Sequence, residues 1–302
     1  MKTLVVLTGP TGVGKTALSL DLAEWLGSPI ISCDSRQLFR EMPIGTAAPT
    51  PQQRQRIPHY FIGTQSIQDY YSAGRFEADV LSLLENELFN RYDTIVMTGG
   101  SMLYIDAVCQ GIDEIPDADP QLRLELMAQF EQEGLDTMLG KLKLLDPDYY
   151  AEVDRKNHKR ILHALEICLM TGKPYSVLRK KTPKPRSFRI LKICLNRERT
   201  ELYARIDQRV RDMMQEGLLE EAQALYPFRQ LNALNTVGYK ELFDYFDSHC
   251  SLEEAITQIQ HNTHKYARKQ LTWFRRDPDY HWFDADDTKG IFEFLQAEQG
   301  SI

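Results

Sequence analysis

Cysteine is scarce in this sequence. Cys33, Cys109, Cys168, Cys194 and Cys250 are an odd number scattered through apolar segments of a 302-residue chain, and none falls in the CxxC spacing of a zinc or redox site. A disulfide-stapled fold is excluded, and reduced, mostly buried thiols are expected. Long apolar runs are missing too. None approaches the roughly 18 to 20 residues that span a bilayer, and the stretch 4–7 is too short for the core of a signal peptide. A soluble cytoplasmic protein with no membrane partner is therefore expected. An excess of positive charge is also absent: 36 Lys and Arg face 43 Asp and Glu, a net charge of -7. Any nucleic-acid partner would need a local basic surface. What remains, 42% hydrophobic and 26% charged residues, is the composition of an ordinary globular chain long enough for two domains.

The charges are segregated along the chain. Residues 113–154 are dense in Asp and Glu, whereas residues 173–199 hold ten Lys or Arg and a single Glu. A solvated, balanced surface is the ordinary reading of one such run. Apolar runs at Thr3–Thr8, 29–33 and 93–98 alternate with helical periodicity, first at Ala17, Leu18, Leu20, Leu22, Ala23 and Leu26. Strands alternating with helices predict a parallel sheet. Between Gly111 and Pro185 the strand signal disappears, and helices are expected at 120–133, 135–145 and 157–171. One more strand is expected at 188–195, then long helices at 199–216 and 252–275. The fold class is thus α/β: a P-loop parallel-sheet core flanked by helices, with an inserted all-α domain. The core takes residues 1–112 and 187–302, and the insertion 113–186.

Gly9-Pro10-Thr11-Gly12-Val13-Gly14-Lys15-Thr16 fits GxxxxGK[ST] and lies after a buried strand and at the start of a helix, where the mechanism needs it. The glycines let backbone N–H groups close around an anion, Lys15 reaches the terminal phosphate, and the Thr16 hydroxyl suits Mg²⁺. Asp34 ends the second strand at the edge where open α/β sheets bind ligands. It reads either as a general base toward an acceptor or as a cap on the following helix. The third strand delivers Gly99, Gly100 and Ser101 to the same edge, with the Ser101 hydroxyl available to an acceptor or a bridging oxygen. A hydrolytic NTPase commonly ends this strand in Asp, and here it ends in Thr-Gly-Gly, which favours a transferase.

Ten segments then line up in order: Gly9 through Thr16, Asp34-Ser35-Arg36-Gln37, Gly45-Thr46-Ala47, Gly99-Gly100-Ser101-Met102-Leu103-Tyr104, Asp117-Ala118-Asp119-Pro120, Arg160 with Ala164-Leu165-Glu166, Thr171-Gly172-Lys173-Pro174, Arg205-Ile206-Asp207-Gln208-Arg209-Val210, Val237-Gly238-Tyr239-Lys240-Glu241, and Arg268-Lys269-Gln270-Leu271-Thr272-Trp273-Phe274-Arg275. Over nearly its whole length the chain resembles the tRNA dimethylallyltransferases, or tRNA isopentenyltransferases, of bacterial type. The resemblance implies transfer of a dimethylallyl group from dimethylallyl diphosphate to N6 of adenosine 37 in tRNAs reading codons that begin with U. It implies a monomeric protein working on the anticodon stem-loop, with Mg²⁺ at Thr16. Lys15 and Arg209 would neutralise the leaving diphosphate, Asp34 would take the N6 proton, and Ser101, standing where many members carry Thr, would keep the hydroxyl.

The resemblance also implies an RNA surface. It comprises Asp34, Ser35, Arg36, Gln37 and Ser101 at the acceptor, and Arg123, Asn157, His158, Lys159, Arg160 and Ile161 in the insertion, which would clamp the stem. Asn235, Thr236, Val237, Gly238, Tyr239 and Lys240 would add to it, as would Arg268, Lys269, Gln270, Thr272, Trp273 and Arg275. Ala48 and Asn235 stand where relatives commonly carry a basic residue, and Trp273 suits a core as well as a stacked base. His261 and His264, three apart on a helix, lack further ligands and read as polar surface. Two other readings share the phosphate loop: a small-molecule kinase using ATP, and an isopentenyltransferase acting on free adenine nucleotides. A non-enzymatic tRNA-binding protein would leave Asp34, Lys15, Thr16 and Arg209 without work.

Overall fold

The computed structural model describes residues 1–113, 115–116, 119–180 and 182–300. Asp117 and Ala118 of the family-like segment, and Lys181 of the basic stretch, lie outside the described residues.

Strand β1, Thr3–Thr8, is buried at every residue. With a side-chain period of two, Leu4 and Val6 enter one apolar cluster, while Val5 and Leu7 enter a second on the opposite face. A strand covered on both faces has no polar side, which is why it reads as one apolar run. It joins β2 (Ile30–Ser32), β3 (His59–Tyr60), β4 (Thr94–Thr98), β5 (Arg189–Asn196) and β6 (Tyr280–Asp284) in a sheet of order β3-β2-β4-β1-β5-β6. All pairings are parallel. β4 slots between β2 and β1, with Ser32 opposite Thr98 and Leu7 opposite Thr98, so three carboxyl ends lie side by side. The parallel α/β expectation holds. β3 and β6 were not expected: one is two residues long, and the other alternates too little apolar character to signal a strand.

Helix α1, Lys15–Leu26, starts directly from the glycine-rich loop and stops at Gly27, which adopts a left-handed conformation with φ 60°. α2 (Ala73–Leu83) and α3 (Met102–Gln110) bury Phe76, Val80, Ile105 and Val108 in the cluster that holds Leu4 and Val6.

The chain divides into two compact units, one of Met1–Cys109 with Arg186–Ile302 and one of Gln110–Pro185. Within the second, α4 (Pro120–Leu145) is interrupted at Gly134, whose φ of 79° and ψ of 177° break the helix between the two segments expected there. α5 (His158–Thr171) packs against α4, burying Ile161, Ala164, Leu165 and Cys168 with Leu126, Met138 and Leu142. This unit therefore has a core of its own. Asp146, fully buried, holds its connections by accepting from Tyr149 N (2.9 Å), Ser176 N (2.7 Å) and Ser176 Oγ (2.7 Å).

After β5 the first unit continues through α6 (Arg199–Gln215), α7 (Leu218–Leu225), α8 (Tyr239–Phe246), α9 (Leu252–Phe274) and α10 (Thr288–Gly300). α9 opens with a capping box in which Ser251 and Glu254 exchange hydrogen bonds. Four cysteines are buried, Cys250 is partly exposed, and all five are free thiols.

Four cations of the basic stretch 173–199 are engaged in ion pairs. Arg186 pairs with Glu77 at 2.8 Å, Lys192 with Asp277 at 2.7 Å and Arg197 with Asp286 at 2.6 Å, and Arg189 pairs with Glu298. Arg186 also donates to the Ala107 and Val108 carbonyls, each at 2.8 Å. Arg186 and Glu77 are both buried at 8% exposure, so removing the cation alone leaves a carboxylate and two carbonyls without it. Arg186→Met is expected to lose about 3–5 kcal/mol of stability, with much of it recovered when Glu77→Met is added. Urea unfolding of the single and double variants checks this.

Candidate active site

The loop between β1 and α1 is shaped by three glycines at positive φ: Gly9 at 148°, Gly12 at 82° and Gly14 at 117°. Two also sit against neighbours. A Cβ on Gly9 would meet the Leu195 carbonyl oxygen at 2.7 Å, and one on Gly12 would meet Ile206 at 2.8 Å. The loop thus lies pressed between β5 and α6. Helix α1 presents its first-turn amides, which have no intrahelical acceptor, together with the positive end of its dipole. Lys15 curls over the loop and donates to the Gly9 and Pro10 carbonyls, both at 2.9 Å.

The carboxyl ends of the neighbouring strands are stitched to this loop. Thr8 Oγ1 donates to the Gly99 carbonyl at 3.1 Å, Thr98 Oγ1 to that of Leu7 at 3.0 Å, and Cys33 N to that of Thr98 at 2.8 Å. Asp34 follows β2, where its Oδ1 accepts from Arg36 N at 2.9 Å and Gln37 N at 3.4 Å. Its other carboxylate oxygen takes no hydrogen bond among the described residues. The capping and functional readings of Asp34 are therefore compatible: one oxygen anchors the carboxylate while the other makes no hydrogen bond among the described residues. Ser101 Oγ accepts from Ser35 N at 2.8 Å and donates to Ser35 Oγ at 3.0 Å. Gln37 reaches the Thr46 and Ala47 carbonyls at 3.2 and 3.1 Å, while its oxygen accepts from Ser32 Oγ at 3.1 Å. That ties the Gly45-Thr46-Ala47 segment to the same edge.

Helix α6 supplies two arginines one turn apart. Arg209 Nη1 donates to Thr11 Oγ1 at 3.2 Å, and Arg205 Nε to the Gly12 carbonyl at 2.9 Å. Burial and the neighbouring Arg209 charge push the Lys15 ammonium down to about 8, with Asp34 opposing them in part. Burial lowers Arg209 as well, again against Asp34. Lys15, Arg209 and Asp34 are thus within electrostatic reach of one another, as a site handling a polyanion beside a proton acceptor requires. For a hard divalent cation the fit is through oxygen. The Thr16 hydroxyl is exposed at the start of α1, and no cluster of three or more His, Cys, Asp or Glu side chains is present among the described residues. Such an ion would keep most of its ligands from phosphate oxygens and water, the usual habit of Mg²⁺.

The expected RNA residues divide by burial. Arg268, Lys269 and Thr272 are exposed on α9 and Arg275 just after it, Asn235 and Lys240 are exposed around the start of α8, and Ser35 and Arg36 are half-buried beside Asp34. Thr236 and Val237 are half-buried, and Gly238 is buried with its N–H donated to Glu241 at 2.8 Å. Tyr239 and Gln270, expected to touch RNA, are instead interior. Tyr239 is fully buried, donating to Glu221 at 2.6 Å, while Glu221 accepts from the Ile44 and Gly45 amides at 2.9 Å each. Gln270 is 1% exposed, and both ends of its amide are occupied. Trp273 is half-buried and donates to Asp106 at 2.8 Å. Within the helical unit His158, Lys159, Arg160 and Arg123 are exposed, Asn157 caps α5 by accepting from Arg160 N at 3.2 Å, and Ile161 is core. Arg123 pairs with the buried Glu166 at 3.0 Å. His264 is not polar surface: it stacks on Tyr203 at 4.0 Å and meets Asp207 at 2.8 Å. Glu221 and Tyr266 had no signal in the sequence, whereas Arg205 stood in the family-like segment with Arg209 without a role of its own. Only the four-residue spacing of Tyr266 and Gln270 could have placed them on one face of α9.

The sequence model of the family described as IPPT, IPP transferase, matches residues 37–277. A tRNA dimethylallyltransferase of Porphyromonas gingivalis is 62% identical over 288 residues, 95% of this chain and 96% of its own. Among solved structures, the full-length tRNA isopentenylpyrophosphate transferase of Bacillus halodurans superposes with a TM-score of 0.70 at 36% identity, covering 99% of this chain and 96% of that one. A eukaryotic dimethylallyltransferase acting on tRNA superposes with a TM-score of 0.78 at 27% identity, over 96% of this chain and 75% of that one. The family match begins after the phosphate loop, so the reading of Gly9 to Thr16 stands on the loop's own geometry.

Lys15 carries its proton below about pH 8 and loses it above. An anion that needs the ammonium must then recruit a proton, which weakens binding by about tenfold per pH unit at most. Wild type is therefore expected to bind inorganic diphosphate more tightly than Lys15→Met at neutral pH, with the advantage shrinking as pH rises through 8. Calorimetric titration of both proteins across this range checks it.

Proposed function

This chain belongs to the IPP transferase family, and from that premise we propose that it transfers a dimethylallyl group from dimethylallyl diphosphate to a tRNA, releasing diphosphate. The observation that carries the reading is the convergence of an anion loop, two cations and an oriented carboxylate at the carboxyl ends of β1, β2 and β4. We assign N6 of adenosine 37 in the anticodon loop as the acceptor, in tRNAs reading codons that begin with U.

As N6 attacks the allylic carbon, the bond from that carbon to the diphosphate oxygen breaks and negative charge gathers on the leaving group. Lys15, Arg209 and the first-turn amides of α1 face that charge, and stabilisation that grows toward the transition state is what accelerates a reaction. The N6 proton passes to the Asp34 oxygen left without a hydrogen bond. An exocyclic adenine amine is a weak nucleophile, so leaving-group stabilisation has the larger part of the barrier to lower. Mg²⁺ held at Thr16 would supply Lewis-acid neutralisation of the diphosphate. Ser101 orients the acceptor beside Ser35 and Asp34.

A base within a stacked loop does not offer N6 to a pocket, so the adenosine is flipped out, and the proteins that hold such distortions grip the flanking backbone. Arg268, Lys269 and Thr272 of α9 and Arg275 at its C-terminal end, with Asn235 and Lys240 near α8, are exposed and of the right chemistry for that grip. In the helical unit Arg123, His158, Lys159 and Arg160 are our choice for contact with the stem. Among the described residues no helix is long and apolar enough to cross a membrane. We place the protein in the cytoplasm with its tRNA, acting as a monomer.

The test is transfer of labelled dimethylallyl, with Mg²⁺, to an anticodon stem-loop with adenosines at 36, 37 and 38. The same loop with guanosine at 37, and free AMP, serve as controls. Label only on the first acceptor supports the assignment, and label on AMP refutes it. Asp34→Ala is expected to lower kcat by about 10²–10⁴ while diphosphate and tRNA still bind, and unchanged turnover would remove Asp34 as the base. Arg209→Ala should lose about 10²–10³, mainly in the chemical step. Lys269→Glu should instead raise KM for tRNA several-fold at unchanged kcat and flatten its dependence on salt by about one unit of slope.

A further inference from the structure

Gln270 lies on α9 between two loops that belong to different halves of the reaction. Its Oε1 accepts from the amide of Thr11 at 2.9 Å, in the leaving-group loop, and its Nε2 donates to the carbonyl of Gly100 at 2.8 Å, beside Ser101 in the acceptor loop. The side chain is 1% exposed, so neither bond is shared with solvent. A buried amide with each end satisfied is stable; one with either end stranded is costly. The approach is close enough that a Cβ on Gly100 would stand 2.3 Å from Nε2, so a side chain at that position and this bridge exclude each other. Two further contacts are made from neighbouring turns of α9. One turn earlier Tyr266 Oη donates to the same Gly100 carbonyl at 3.4 Å, and one turn later Trp273 Nε1 donates to Asp106 on α3 at 2.8 Å. Thr11 is in turn held from the other side by Arg209 at its hydroxyl.

We infer that Gln270 is a positioning residue that sets the spacing between the diphosphate loop and the acceptor loop, in place of the RNA contact its neighbours Arg268 and Lys269 suggest. It rests on the transfer reaction proposed above. An allylic carbon bound through its diphosphate and an amine bound near Ser101 react only when the two loops hold them at attack distance. A displacement of about 1 Å can cost 10²-fold in rate. Because the bridge touches neither substrate, its loss acts on kcat more than on either KM.

The experiment compares wild type, Gln270→Met and Gln270→Glu in the stem-loop transfer assay, with thermal melting to establish that each is folded. Gln270→Met, of similar volume and without polar ends, is expected to lower kcat about 10- to 100-fold, with both KM values within about threefold of wild type. Gln270→Glu keeps the acceptor for Thr11 but, when ionised, sets an oxygen against the Gly100 carbonyl. Protonated, its carboxyl offers one acceptor and one O–H donor, as the amide does. Its activity relative to wild type is therefore expected to rise as pH falls. That recovery is read on a folded protein even if Gln270→Met does not fold. A rise in KM for tRNA alone would return Gln270 to the RNA surface. Wild-type kcat in Gln270→Met, or a pH-independent ratio for Gln270→Glu, would equally overturn the inference. Absence of transfer by wild type would instead refute the proposed function, which keeps the two failures apart.

Discussion

The arrangement depends on backbone passing close to backbone at the carboxyl edge of the sheet. β4 lies between β1 and β2, so the segments leaving all three strands occupy one small region, and side chains there would hold them apart. Gly9 leaves no room for a Cβ beside Leu195, and a Cβ on Gly99 would lie 2.7 Å from Cys33 Sγ. These glycines let the phosphate loop, Asp34 and Ser101 share a neighbourhood. The polar contacts of the site, from Thr8 and Thr98 across the strands to Ser101 and Ser35, presuppose that approach.

Much of this was legible before any coordinates. The phosphate loop announces itself because its chemistry is local: strand, glycines, Lys and Thr fall within fourteen residues, and the helix must follow. Asp34 and Ser101 were legible for a related reason, since the ends of buried parallel strands point to one edge whatever the fold in between. The broken helix at Gly134 was readable as two periodic segments. Strand β3, two residues long, was not, because no periodicity can be seen in so short a window. β6 has an exposed edge position, and its Tyr-His-Trp-Phe-Asp mixes polar with aromatic residues.

The residues whose interior position sequence patterns did not reveal share one property: their partners are far away in the chain. Gln270 stands among Arg, Lys and Thr and looks like part of a basic face, yet the helix turns it toward Thr11, 259 residues earlier. Tyr239 sits in a run that resembles a family motif, and it donates to Glu221, 18 residues earlier, which in turn accepts from the Gly45 amide. The basic stretch 173–199 likewise loses much of its apparent charge to Glu77, Asp277, Asp286 and Glu298, contributed by four other parts of the chain. A helix with one exposed basic face and another turned toward the sheet edge carries both kinds of residue in alternation, and composition averages over them.

The two hydrogen bonds that Lys15 makes to the Gly9 and Pro10 carbonyls bear on the end of the catalytic cycle as much as on its chemistry. A phosphate oxygen engages that ammonium in competition with two carbonyls, so the net attraction depends on how much charge the ligand brings. Cleavage converts a diphosphate ester into free diphosphate, which carries more. On the proposed reaction, a cradle of this kind would hold free diphosphate more tightly than the ester. Release of that product would then be an exchange of partners, with the Gly9 and Pro10 carbonyls taking the lysine back.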